Sequence, residues 1–143
     1  MLSKIVIGVL VLGVAIQFVP YGREHSNPPV TLEPDWDSAN TRELFFRACR
    51  DCHSNETVWP WYSYVAPVSW LVSSDVNEGR EHLNVSDWGR PDQHGDEAAE
   101  MVREGDMPLW FYLPLHARAR LSPAERKRFI AGLERTFGSD HGH

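Results

Sequence analysis

The chemistry of this sequence is concentrated in the run Cys49-Arg50-Asp51-Cys52-His53. C-x-x-C-H is the spacing of a c-type haem attachment site. On a helix, positions i, i+3 and i+4 share a face, so Cys49, Cys52 and His53 can meet one planar ligand. The two thiols would join the haem vinyl groups as thioethers, and the imidazole would take one axial position on iron. Three other uses of the pair compete. A thioredoxin-like dithiol sits at a strand end in a βαβ pattern, which this sequence lacks. A zinc site needs two more ligands, and the chain holds 2 cysteines in all. A disulfide at this spacing closes a tiny strained loop and adds little stability.

An iron held by His53 leaves a sixth position. Gly105-Asp106-Met107-Pro108 offers a ligand for it. Pro108 disfavours helix at Met107, which would aim the thioether inward from an extended loop. A Met ligand raises the reduction potential toward electron-transfer values. The alternative is a Met that only fills core. His82, His94 and His116 are rivals for the same position, whereas His141 and His143 lie in a terminal tail. Met101 is expected on the core face of its helix, away from the iron.

The elements that must position these residues are helical. Asn40, with Glu43 three residues on, reads as the cap of a motif helix over about 41–52, with Leu44, Phe45, Ala48, Cys49 and Cys52 as its apolar stripe. An aromatic loop follows, including Trp59, Trp61, Tyr62 and Tyr64, whose rings are placed to wall a haem pocket or to fill core. Pro67 at a first turn, then Val68, Leu71, Val72 and Val76, predict a helix over 67–82, with Gly79 near its end or at a close backbone approach. A short helix over 96–104 should end at Gly105. Ser122, Pro123 and Glu125 form a capping box for a last helix whose buried face is Phe129, Ile130, Leu133 and Phe137, ended by Gly138.

The 143 residues suffice for one domain with a real core. A net charge of −6 makes nucleic acid an unsuitable partner. Lys4 precedes an apolar run from Ile5 to Val19, closed by Pro20, Tyr21 and Gly22. The run is short for a span but lacks a small-x-small cleavage site, so an uncleaved anchor is favoured over a signal peptide. The expected organisation is an anchor over 1–22, an extended tether over 23–37, a haem-binding domain over 38–138 and a disordered tail over 139–143. Lys4 places the domain outside a bacterial inner membrane crossed once.

The pattern also resembles a known family. Cys49, Cys52, His53, Ser54, Asn55 and Thr57 are followed by Pro60-Trp61-Tyr62, Pro67 and Trp70. Gly79-Arg80, Leu83-Asn84, Ser86 and Trp88 continue it, then Met107-Pro108, Tyr112 and His116. Over about 36–137 the chain resembles the bacterial haem-binding-domain family of exported single-haem proteins. That resemblance implies one covalent haem at Cys49 and Cys52, His53 as proximal ligand and Met107 as the natural distal candidate.

The expected fold is therefore all-α, similar in layout to a small cytochrome c around one haem c. The expected function is extracytoplasmic electron transfer with redox partner proteins, the haem supplying the redox chemistry. A haem enzyme such as a peroxidase is the main competitor. It would need a distal His or Arg, for which Arg80, His82 and His116 are candidates. A haem-based redox or gas sensor is the third reading.

Overall fold

The computed structural model describes residues 2–138, so the expected tail and its histidines, His141 and His143, lie outside the described residues. The described residues form α-helices and short 3-10 turns, with no strand among them. The helices are α1 (Leu2–Ala15), α2 (Ala39–Ala48), α3 (Arg50–His53), α4 (Val68–His82), α5 (Ala98–Glu104) and α6 (Pro123–Phe137). The all-α expectation holds.

The expected motif helix is divided in two. Cys49, with φ −123° and ψ −22°, ends α2 and starts α3. The turn stays tight, because the Cys49 carbonyl accepts from Cys52 N at 3.2 Å and from His53 N at 3.0 Å. Its cap is Ser38 rather than Asn40: Ser38 has extended backbone and its Oγ accepts from Thr41 N at 3.2 Å, leaving Asn40 inside the first turn. α4 and α5 lie within two residues of their expected starts, and Gly105 ends α5 at φ 91°, where a side chain is disfavoured. α6 carries the whole capping box at Ser122 and Glu125.

These helices enclose a core of Leu44 and Phe45 from α2, Ala99 and Val102 from α5, and Phe129 and Leu133 from α6, joined by Leu83 and Val85. α2 crosses α6 so closely that a Cβ at Gly132 would overlap the Thr41 side chain. Ile130 and Phe137, expected on the buried face of α6, are partly buried against this core.

Residues 23–37 are extended, as expected, but they are not a free tether. Thr31 N donates to Ser86 O at 2.8 Å, and Trp88 N donates to Leu32 O at 3.0 Å. The Arg80 guanidinium reaches Ser26 O at 2.9 Å and Asn27 Oδ1 at 3.0 Å. Backbone polar groups that would need water along a free tether are met here by the domain. The segment is a strap.

The expected membrane-spanning helix is not found. α1 has 14 residues, a rise of about 21 Å against the roughly 30 Å of a hydrocarbon core. Among the described residues no helix is long and apolar enough to cross a membrane. The apolar run instead passes into a 3-10 turn at Ile16–Phe18, and none of the α1 side chains is buried.

Candidate functional site

α3 lies at one wall of a chamber of about 630 Å³. That is within the roughly 300–1,000 Å³ of ligand and cofactor pockets. Cys49, Cys52 and His53 all line it, as their spacing predicts. Phe45, Ala48, Val102 and Leu133 supply apolar wall, so the chamber borders the hydrophobic core. Leu71, Asp75, Glu78, His82 and Gly79 enter from α4.

His53 is oriented by a backbone carbonyl. Its Nδ1 lies 3.1 Å from Leu83 O. Burial lowers the imidazole pKa, so the ring is neutral, and the carbonyl neighbour requires the proton on Nδ1. The Nε2 lone pair is then the free one, the arrangement by which second-shell carbonyls orient ligating histidines.

The two cysteines are free thiols. Burial, with Cys52 nearby, pushes the Cys49 thiol up to about 12. Burial, with the Asp75 and Asp51 carboxylates, raises Cys52 to about 12 as well. Both thiols therefore stay protonated at neutral pH. A dithiol oxidoreductase needs the opposite shift. Among the described residues no group of three or more His, Cys, Asp or Glu is placed to hold a metal ion, which leaves the zinc reading without its further ligands.

Gly79 marks where α4 meets the motif. A Cβ there would lie 2.5 Å from Cys52 O and 2.9 Å from Cys52 Cβ. Gly79→Ala is expected to push α4 off α3, destabilise the protein by roughly 1–3 kcal/mol and disturb the absorption spectrum of a chromophore held at the motif. Chemical denaturation and absorption spectroscopy check this, and a variant matching the native protein in both would refute the close approach.

A further part of the lining comes from α5 and the loop after it. Met107, Pro108, Leu109, Phe111 and Tyr112 line the chamber, as do Ala98, Met101 and Val102. Met107 thus shares the chamber with the motif, and its peptide bond to Pro108 is cis. Its loop is tightly tied. The Met101 carbonyl accepts from Gly105 N at 3.2 Å, Asp106 N at 3.0 Å and Met107 N at 3.1 Å. Arg126 of α6 donates to Val102 O from Nε at 3.0 Å and to Arg103 O at 3.1 Å, covering the end of α5. Tyr112 Oη donates to Asp51 Oδ2 at 2.7 Å, joining this loop to the motif helix. Burial and the Asp51 charge hold the Tyr112 phenol protonated.

Several expectations change here. Met101 was expected away from the iron, yet it lines the same chamber. Ala98, Met101 and Val102 stand at i, i+3 and i+4, and that spacing is the signal that identifies them as one face. His82 and His94 line the chamber with ring centroids 5.7 Å apart. His116 does not. Its Nδ1 lies 2.9 Å from Tyr112 O, its Nε2 lies 3.2 Å from Tyr62 Oη, and its ring stacks on Tyr112. Arg80 is committed elsewhere, to Ser54 O, Thr57 Oγ1 and the strap. The aromatic loop is not the wall of the chamber either: the cavity's aromatic side chains are Phe45, Phe111 and Tyr112. His25 of the strap stacks on Trp59 at 4.3 Å and meets Tyr64 edge-on, drawing those rings away from the motif.

A family model described as haem-binding domain matches residues 11–135. The chain belongs to the haem-binding-domain family. No curated protein and no solved structure matches it. The residues present fit the cofactor of this haem-binding domain. A largely apolar chamber of suitable volume has two protonated thiols and one neutral, oriented imidazole along one wall, and a thioether-bearing loop on another.

Proposed function

We propose that this haem-binding domain is a single-haem c-type cytochrome that carries electrons between redox partner proteins on the outer side of a bacterial inner membrane. Cys49 and Cys52 hold the haem as thioethers, His53 Nε2 is its proximal ligand and Met107 Sδ its distal one. The haem supplies one-electron exchange at iron. The chain's own residues do the rest. Leu83 O fixes the imidazole tautomer, the Met101 carbonyl and Arg126 hold the Met loop, and the wall of Phe45, Val102 and Leu133 keeps water from the centre. The observation that carries this reading is the single chamber on which Cys49, Cys52, His53 and Met107 converge. The competing peroxidase reading wants a distal Arg or His: the hydrogen bonds of Arg80 and His116 direct both elsewhere, whereas His82 and His94 line the chamber and are the residues that reading would use.

The test compares two thioethers that share the chamber. Met107→Ala is expected to open the iron, abolish the weak charge-transfer band at the red edge of the ferric spectrum, lower the reduction potential and admit carbon monoxide. Met101→Ala should keep the band and exclude carbon monoxide. His82→Ala and His94→Ala, from the same chamber, complete the set. A native protein that binds carbon monoxide freely, with Met107→Ala changing nothing, would transfer support to an enzyme or sensor.

A further inference from the structure

Helix α1 has no polar face. Lys4 is its one charged residue, and none of its side chains is buried by the rest of the chain. A helix apolar all round needs an apolar surrounding, supplied by protein or by lipid. Here the domain supplies none.

The junction between α1 and the domain is not a hinge. The Gln17 side-chain amide pairs with both backbone groups of Ala66, Nε2 donating to Ala66 O at 2.9 Å and Oε1 accepting from Ala66 N at 3.0 Å. Arg23 donates to Gln17 O from its guanidinium. Gly22, at φ 73°, lies against α4 so closely that a Cβ would sit 2.6 Å from Ser69 O. Two independent points therefore fix the direction in which α1 leaves the domain. The family match begins at residue 11, so Gln17 and Gly22 fall within the matched region.

Around that junction the domain shows an apolar and aromatic face. Phe18 is 83% exposed and Trp61 78%, and Tyr64, Val65, Val68 and Leu71 are exposed beside Ala66 in the chain. From Thr57 to Ser74 no residue is charged, in a chain whose overall charged fraction is 24%. Exposed Trp and Tyr with aliphatic neighbours and no charge match the headgroup boundary of a bilayer.

We infer that the face from Trp61 to Leu71 seats on a phospholipid surface, with α1 inserted in the lipid and the Gln17–Ala66 pairing fixing how the domain stands on it. The inference rests on the extracytoplasmic placement proposed above, and it requires insertion of α1 rather than crossing. Leu71 belongs both to this face and to the lining of the haem chamber. The seated domain therefore holds that rim of the chamber next to the lipid.

The test uses the full haem-loaded chain in phosphatidylcholine vesicles, with hydroxyl-radical oxidation of Trp61 and Tyr64 read by mass spectrometry. Gln17→Ala keeps α1 apolar and removes the pairing. The expected result is loss of oxidation at Trp61 and Tyr64 in the native chain and its return in Gln17→Ala. Oxidation of Trp61 in the native chain at the rate of a freely exposed tryptophan overturns the proposal. So does equal protection in both chains, which would mean the pairing does not orient the domain. Protection that fades when the chain is diluted at constant lipid identifies a second copy as the cover, and likewise overturns it. Failure to sediment with the vesicles overturns lipid attachment itself, while the visible spectrum of the same sample reports separately on the haem centre.

Discussion

Replacing Cys49 and Cys52 together with alanine is expected to leave a polypeptide from which acid–acetone removes all haem, whereas the native chain keeps its haem through extraction and denaturing electrophoresis. Each thioether forms when a thiol adds across a vinyl group. A sulfur–carbon bond is made, the thiol hydrogen goes to the neighbouring carbon, and no external oxidant or reductant is consumed. The pair is suited to this because both thiols share the chamber wall within one short turn. Either single variant should keep one link and some bound haem, and His53→Ala should lose the normal low-spin spectrum while the thioethers remain available. Native haem that extracts freely would sink the covalent assignment.

Without haem the chain is expected to lose its tertiary structure. The chamber of about 630 Å³ is open to solvent, so without haem its apolar lining stays exposed to water at roughly 25 cal/mol for each Å² the cofactor would cover. The surface left wet belongs to the more exposed lining residues such as Leu71 and Phe111, since Phe45, Val102 and Leu133 are buried by the protein itself. Phe45, Val102 and Leu133 also belong to the hydrophobic core, so the cofactor would pack directly against it. Haem binding is in this sense folding free energy. Near-ultraviolet dichroism from the 6 tryptophans should collapse in the apo chain while far-ultraviolet helix signal persists. An apo form with native near-ultraviolet dichroism would show that the helices carry a core of their own.

The parts of the site that could be read from sequence are those whose chemistry is local. C-x-x-C-H constrains one turn of chain, so Cys49, Cys52 and His53 reach the chamber as expected even though the helix breaks at Cys49. The capping box of α6 and the left-handed Gly105 are likewise settled within a few residues. What escaped depends on partners far along the chain. The aromatic loop was expected at the chamber, but its rings follow His25, from a segment that reads as an unstructured tether. That segment has no periodicity because its partners are Ser86 O, the Trp88 backbone and Arg80, none of which leaves a local pattern. The spacing of Ala98, Met101 and Val102 was visible. It marks a buried face, and only the fold shows that this face fronts a chamber.

The knot at the Met101 carbonyl has a consequence for speed. When iron gains or loses an electron, the slow part of the exchange is the shift of nuclei that accompanies the new charge. A distal ligand on a slack loop would relax with each oxidation state and raise that barrier. Met107 is carried on a segment whose three preceding amide hydrogens, its own included, converge on one oxygen, with Arg126 closing the helix end behind them. With Met107 as the distal ligand proposed above, its sulfur would be held at nearly one position for both charges of the iron, and electron exchange would proceed with little rearrangement of the protein.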